Sequence, residues 1–297
     1  MRMTTVVQWL LVGTVGAACA SNKDPFAGTD APPQIDAAPQ VDAPPVETTD
    51  APTIKCAPTP TKLIVFGDSI TDCSVVGGDQ DPGCVSKIVA ADLNTRFATA
   101  PTYSNPAFGG AVTSQVPTQI DGVQGGPGHV LALIYIGGND LAPYIFQSDT
   151  AAMNAWTGSI KASVMAQWNK IFQKLGDTTK FPDGVTVLMN TQYNPFDDCT
   201  APPDNVSQVK SDILHQYNDM LKAIAAAHPD NTIIVDQYPE WLGHGRSYEQ
   251  ASCPHYIPNA VPYMKPGDLI HAGTDGNKQL AKVIGGGLDR LYKDCTP

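Results

Sequence analysis

Four short stretches carry side chains able to work on a carbonyl group. "FGDSITD" (66–72) sets Ser69 directly after an apolar run, "NPAFGGA" (105–111) holds Gly110, "GGND" (137–140) holds Asn139, and "DLIH" places Asp268 three residues before His271. A serine hydroxyl becomes a useful nucleophile when a base takes its proton. An imidazole serves as that base when a carboxylate orients it, and the tetrahedral intermediate needs donors around its oxyanion. Ser69, His271 and Asp268 supply the first three parts; the Gly110 N–H and the Asn139 amide are candidate donors. Each stretch alone has a simpler reading: Ser69 as a helix N-cap, Gly-Gly-Asn-Asp as an ordinary turn, Asp-x-x-His as a loop hydrogen bond or half of a metal site. Those readings explain badly why all four occur in this order.

The elements around these stretches alternate. Leu63 to Phe66 reads as a short buried strand, Ser86 to Phe97 as a helix and Thr102 to Ser104 as a weak strand. Val130 to Ile136 is an unbroken apolar run between glycine-rich turns, as expected of a strand covered on both faces. Trp156, Ile160, Val164, Trp168, Ile171 and Leu175 recur at helical spacing and predict one helix from about Thr150 to Lys174. Val185 to Met189 is strand-like, Val209 to His228 helical, Ile233 to Val235 a last strand, and Thr274 opens a helix to about Tyr292. Parallel strands joined by helical crossovers predict one domain, 61–297, folded as a three-layer α/β/α sandwich. In such a sheet ligands sit at the carboxyl ends of the strands, where Ser69 and Asn139 fall. The glycines at 285 to 287 in the last helix have no account from sequence. The long irregular stretches 191–204 and 237–266 hold Tyr193, Phe196, Tyr238, Trp241, Tyr256 and Tyr263, read as packing residues or as walls for a sugar or acyl group.

The N-terminus departs from this pattern. Arg2 followed by the apolar stretch Val6 to Ala18 reads as a signal peptide over 1–20, too short to anchor by spanning a bilayer. Ala18-Cys19-Ala20 fits a small-x-small cleavage site, and Gly-Ala-Ala-Cys19 resembles a bacterial lipobox, which would tether the chain to a membrane through lipidated Cys19. Residues 21–60, rich in Pro, Asp and Ala, read as a disordered spacer. Both processing routes place the chain outside the cytoplasm, secreted or in the cell envelope. Of seven cysteines, six remain beyond Cys19. Their positions suggest Cys73–Cys84, Cys56–Cys295 and Cys199–Cys253 disulfides, in keeping with an oxidising compartment. From residue 59 onward 23 acidic side chains face 15 basic ones, with no basic stripe, which excludes nucleic-acid binding.

At the four stretches the chain resembles the SGNH or GDSL hydrolases over roughly residues 62 to 293. The resemblance implies a flavodoxin-like sandwich in which Ser69 is nucleophile and oxyanion donor, Gly110 and Asn139 complete the oxyanion hole, Asp268 orients, and His271 is the base. It implies a cofactor-free, metal-free esterase or lipase, expected to be monomeric. Two departures stand out: Ile70 replaces the commoner Leu, and Gly109 beside Gly110 leaves the oxyanion position open by one, with the spacing N-x-A-x-x-G favouring Gly110. The nucleophile elbow G-x-S-x-G of the α/β-hydrolases is absent, since Thr71 stands at its second glycine. A short-chain carboxylesterase is the favoured activity. A polysaccharide O-acetylesterase and a catalytically idle glycan-binding domain are the alternatives.

Overall fold

A computed structural model describes residues 55–78, 81–145, 147–200 and 206–294 of the chain. The expected signal segment, Cys19, most of the spacer and Cys295, with its pairing to Cys56, lie outside the described residues.

Five strands form one parallel sheet: β1 (Lys62–Gly67), β2 (Thr102–Ser104), β3 (Val130–Tyr135), β4 (Val185–Asn190) and β5 (Thr232–Val235), in the order β2-β1-β3-β4-β5. Every paired neighbour is parallel, with Lys62 opposite both Thr102 and Val130, and Val187 opposite Thr232. This is the flavodoxin-like strand order, whose direction of winding reverses between β1 and β3. Side chains alternate across the sheet. Ile64, Phe66, Ala132 and Ile134 enter one core with Trp156, Trp168 and Tyr217. Leu63, Val65, Leu131 and Leu133 enter the other with Val89, Leu93, Ile284 and Leu288. Burial on both faces accounts for the unbroken apolar runs.

The second core is covered by α2 (Val85–Arg96) and α8 (Thr274–Tyr292), the first by α3 (Val116–Gly122), α5 (Asp149–Ala155), α6 (Lys161–Leu175) and α7 (Gln208–Ala226). Two short helices, α1 (Ser69–Asp72) and α4 (Gly138–Ile145), leave the ends of β1 and β3. The single helix expected from Thr150 to Lys174 is two segments joined by a π turn over Trp156–Ile160. The wider turn keeps Trp156, Val164 and Trp168 buried together, and the Trp156 indole N–H reaches Gln216 Oε1 at 3.0 Å. The glycines of α8 gain a partial account. A methyl group on Gly287 would lie 2.7 Å from Val235 Cγ2 and 3.0 Å from Leu188 Cδ1, so this helix rests directly on β4 and β5. Gly286 meets no neighbour within 4 Å, and nothing in the structure explains it.

Cys73–Cys84 and Cys199–Cys253 are disulfide-bonded. The first fastens the C-cap of α1 to the N-cap of α2. The second joins the two long loops. Both fit an exported protein. No helix among the described residues is long and apolar enough to cross a membrane.

Candidate active site

The end of β1 is shaped by backbone crowding. A side chain at Gly67 would place its Cβ 2.2 Å from the Tyr135 carbonyl oxygen, so only glycine lets β1 turn this close to β3. The side-chain amide of Gln119 in α3 clasps that turn from both sides, accepting the Gly67 N–H at 2.9 Å and donating to the Gly67 carbonyl at 2.7 Å. The next residue, Asp68, is the N-cap of α1: its Oδ1 accepts the Ile70 N–H at 3.0 Å. The capping role read for Ser69 therefore belongs to its neighbour. Ser69 is the first helical residue, and among the described residues no protein acceptor meets its N–H.

Ser69 Oγ lies 3.0 Å from His271 Nε2, a contact between residues 202 positions apart. On the other side of the ring, Nδ1 is 2.9 Å from Asp268 Oδ2 and 3.0 Å from Oδ1. Asp268 Oδ1 also accepts the N–H groups of Ile270 at 2.9 Å and His271 at 3.0 Å. Burial acts to raise the Asp268 pKa, but the Ile270 N–H, the His271 ring and the His271 N–H outweigh it and hold the carboxyl below its ordinary value. Hydroxyl, imidazole and carboxylate thus stand in series, able to pass a proton from Ser69 to the ring while Asp268 stays ionised. Among the described residues no group of three or more His, Cys, Asp and Glu side chains is placed to hold a metal ion.

Asn139 stands in the first turn of α4. The stretch read as an ordinary turn opens a helix there, although Gly138 and Pro143 both look like breakers in sequence. Its Nδ2 donates to the Ala111 carbonyl at 2.9 Å, which leaves the amide's second hydrogen for another acceptor. Asp140 fastens the same two loops, accepting both the N–H and the hydroxyl of Thr113 at 2.9 Å. Among the described residues the Gly109 and Gly110 N–H groups meet no protein acceptor. Gly109 is the closer packed of the two: a Cβ there would lie 4.0 Å from Ser69 Cβ, whereas one on Gly110 meets nothing within 4 Å. The four motifs therefore converge on one sheet edge, at the point where β1 and β3 diverge.

A crevice of about 100 Å³ opens from Ser69, Asn139 and His271 between α4, α7 and the loop after β4, walled by Leu141, Tyr144, Phe196, Ile213 and Leu214. Phe108 and Leu269, 42% and 46% exposed, stand beside Gly109 and His271. Three other aromatic residues of the long loops pack on one another, while Tyr238 meets the edge of the His215 ring and Tyr256 is exposed. Tyr193 stacks on Trp241 with ring centroids 3.9 Å apart, and Trp241 meets the Tyr263 edge at 5.3 Å. The Tyr193 hydroxyl donates to the Ile270 carbonyl, so this ring props the loop that carries His271. Gln119, Thr113, Tyr193 and Arg246, whose guanidinium reaches the Asp268 carbonyl, are site-shaping residues with no signature in sequence.

The model of the GDSL-like lipase/acylhydrolase family matches residues 65–279. The chain belongs to that family. It is an ester-hydrolysing serine hydrolase of the SGNH fold. Among solved structures, the hydrolase is similar to the extracellular lipase of Streptomyces rimosus, at 18% identity and a TM-score of 0.52, over 76% of this chain and 99% of that one. It is also similar to the lipase Lip_vut3 from a goat rumen metagenome, at 16% identity and a TM-score of 0.53, over 78% and 99%. Likeness at these identities concerns the fold. No curated protein matches the chain in sequence.

Proposed function

We propose that the hydrolase is a carboxylesterase that cleaves esters of short acyl chains through an acyl-enzyme on Ser69. The observation that carries this reading is the relay of Ser69 Oγ to His271 Nε2 at 3.0 Å and His271 Nδ1 to Asp268 Oδ2 at 2.9 Å. His271 takes the Ser69 proton as the hydroxyl oxygen attacks the ester carbonyl. The oxyanion is met by the N–H groups of Ser69 and Gly110 and by the Asn139 amide. The tetrahedral intermediate collapses, the ring gives its proton to the departing alcohol, and the acyl group stays on Ser69. Water, deprotonated by His271, then releases the acid. The lowered pKa of Asp268 supports its part, because an ionised carboxylate stabilises the imidazolium formed in each half-reaction. The apolar walls of the crevice beside Ser69 support placing the acyl limb there.

The test is a series of p-nitrophenyl esters from acetyl to decanoyl, with acetylated xylan alongside. Highest kcat/KM on a short acyl group and loss of turnover in Ser69→Ala are expected. Preference for the polysaccharide would replace the substrate part of this reading; unchanged turnover in Ser69→Ala would remove the mechanism.

The N-terminal sequence supports export with a tether: a signal segment ending at Cys19, a spacer to residue 60 and a catalytic domain from 61 onward. Palmitate labelling in a bacterial host, abolished by Cys19→Ser, is the expected result. An unlabelled mature chain starting at Ser21 would mean free secretion instead.

A further inference from the structure

Outside the four motifs, one loop is moulded around a single buried carboxylate. Asp197, 1% exposed and in the left-handed conformation at φ 56, accepts the N–H groups of Gly243 at 3.0 Å and Gly245 at 2.9 Å. The fit leaves no space. A Cβ on Gly245 would lie 2.7 Å from both Asp197 carboxylate oxygens and from the Pro195 carbonyl oxygen. That same carbonyl accepts the Arg246 N–H at 2.8 Å. With its backbone held on the loop after β4, Arg246 sends Nη1 to the carbonyl oxygen of Asp268, 2.6 Å away.

The segment that receives this bond is closed on itself by local bonds, Asp268 N–H to the Lys265 carbonyl at 3.0 Å, Lys265 N–H to the His271 carbonyl at 2.9 Å and the Ile270 and His271 N–H groups to Asp268 Oδ1, so its place relative to Ser69 rests on bonds from other loops. Leu269 is 46% exposed, and among the described residues the tie of the 268–269 peptide to another loop is the bond from Arg246 to its carbonyl. Arg246 holds the carbonyl of Asp268, and the Tyr193 hydroxyl holds that of Ile270. The Asp268 side chain projects from the very residue whose carbonyl the guanidinium grips, and it in turn aligns the His271 ring.

We propose that Arg246, aimed by the loop built on Asp197, is a positioning residue for ester hydrolysis, fixing the line from the Asp268 carboxylate through His271 to Ser69. The inference rests on the reading of those three residues as the reacting set. A charge-assisted bond to a carbonyl resists rotation of the 268–269 peptide. Without it the carboxylate and ring drift from the attacking hydroxyl, and a misplacement of about 1 Å costs roughly 100-fold in rate. Arg246 is not among the residues lining the crevice, so its removal is expected to act on kcat more than on KM.

The experiment measures kcat, KM and the rate of Ser69 labelling by a fluorophosphonate in the full folded chain, wild type against Arg246→Ala, Arg246→Lys, Asp197→Asn and Asp197→Ala. Arg246→Ala should lose about 10- to 100-fold in kcat and in labelling rate while KM stays within about 2-fold. Arg246→Lys should recover most of the loss, and guanidinium ion at non-denaturing concentration should recover part of it in Arg246→Ala. Asp197→Asn keeps an oxygen for the Gly243 and Gly245 N–H groups but none for that of Ser247 and should lose less than Asp197→Ala, which should act like Arg246→Ala. Wild-type kcat in Arg246→Ala overturns the proposal, as does a loss that appears in KM or that neither lysine nor guanidinium relieves. Failure of the wild type to label at Ser69 would instead strike the underlying reading of the site.

Discussion

On the β1–β3 side of the site the path of the backbone off strand and helix ends places the residues, pinned by side chains, and on the far side a long irregular loop is held by side chains from other loops. Ser69, Gly110 and Asn139 leave the ends of strands or helices within a few residues, and their loops are fastened by Gln119 to Gly67, Asn139 to Ala111 and Asp140 to Thr113. Asp268 and His271 lie in a long irregular segment. They are held by Arg246 and Tyr193, by the stack of Tyr193 on Trp241, and by the Cys199–Cys253 bond. The two aspartates of the site carry the contrast into electrostatics. Burial pushes Asp68 up to about 7, with Asp72 and Asp140 adding to the rise against the Ile70 N–H. Asp268 is held below its ordinary value. The strand-end side thus carries the hydroxyl, the amide and the N–H groups that meet no protein acceptor among the described residues, while the loop side carries the imidazole and carboxylate, aligned through contacts between residues distant in sequence.

The comparison can be broken at the relay itself. Ser69→Ala and His271→Ala should each lower kcat on p-nitrophenyl acetate by on the order of 10⁶, because base and nucleophile act as a unit. Near-equal losses in both folded variants would show that the two sides meet in one reaction. A smaller effect separates the disulfides. Removing Cys199–Cys253, which closes 54 residues, should destabilise by about 4 kcal/mol in the chain-entropy picture, against about 3 kcal/mol for Cys73–Cys84, which closes 11. Urea midpoints of the paired Cys→Ala variants read this, and the first should also slow labelling of Ser69, since it frees the loops behind Arg246.

Asn139→Ala sharpens the backbone side: kcat should fall by about 10²- to 10³-fold with KM little changed, as for loss of one oxyanion donor. Gln119→Ala leaves the buried Gly67 N–H without its side-chain acceptor and the Gly67 carbonyl with only the Phe108 N–H at 3.4 Å, and should destabilise by about 1–3 kcal/mol in urea unfolding. The last effect is on pH dependence. Because the folded state raises the Asp68 pKa to about 7, its contribution to stability is full below about 3.8 and is lost as pH rises toward 7. Asp268 works in the opposite sense, its contribution being lost as pH falls below the ordinary carboxylate range. Asp68→Asn should therefore gain on the wild type between pH 5 and pH 8, read as the difference in urea midpoints, whereas Asp268→Asn should not.

The sheet and its order of elements are legible in the sequence because burial on both faces forces unbroken apolar runs such as Val130 to Tyr135, and because amphipathic helices repeat at a spacing nothing else produces. The four motifs are legible too, since Ser69 and Asn139 follow apolar strands directly and the Gly110 and Asp268–His271 stretches complete, in order, a pattern that resembles a known family. Helices α1, α3 and α4 were not, being short and broken in pattern by Gly138, Pro117 and Pro143. Sequence by itself determined which residue types stand at the carboxyl edge, and in what order. Only the tertiary structure decided that Asp68 rather than Ser69 caps the first helix, and that Gln119 and Arg246 shape the site. Those contacts join residues 52 and 22 positions apart, through single side chains reaching backbone carbonyls that any residue could have offered. Local pattern cannot encode them, because their partner is the path of the chain itself.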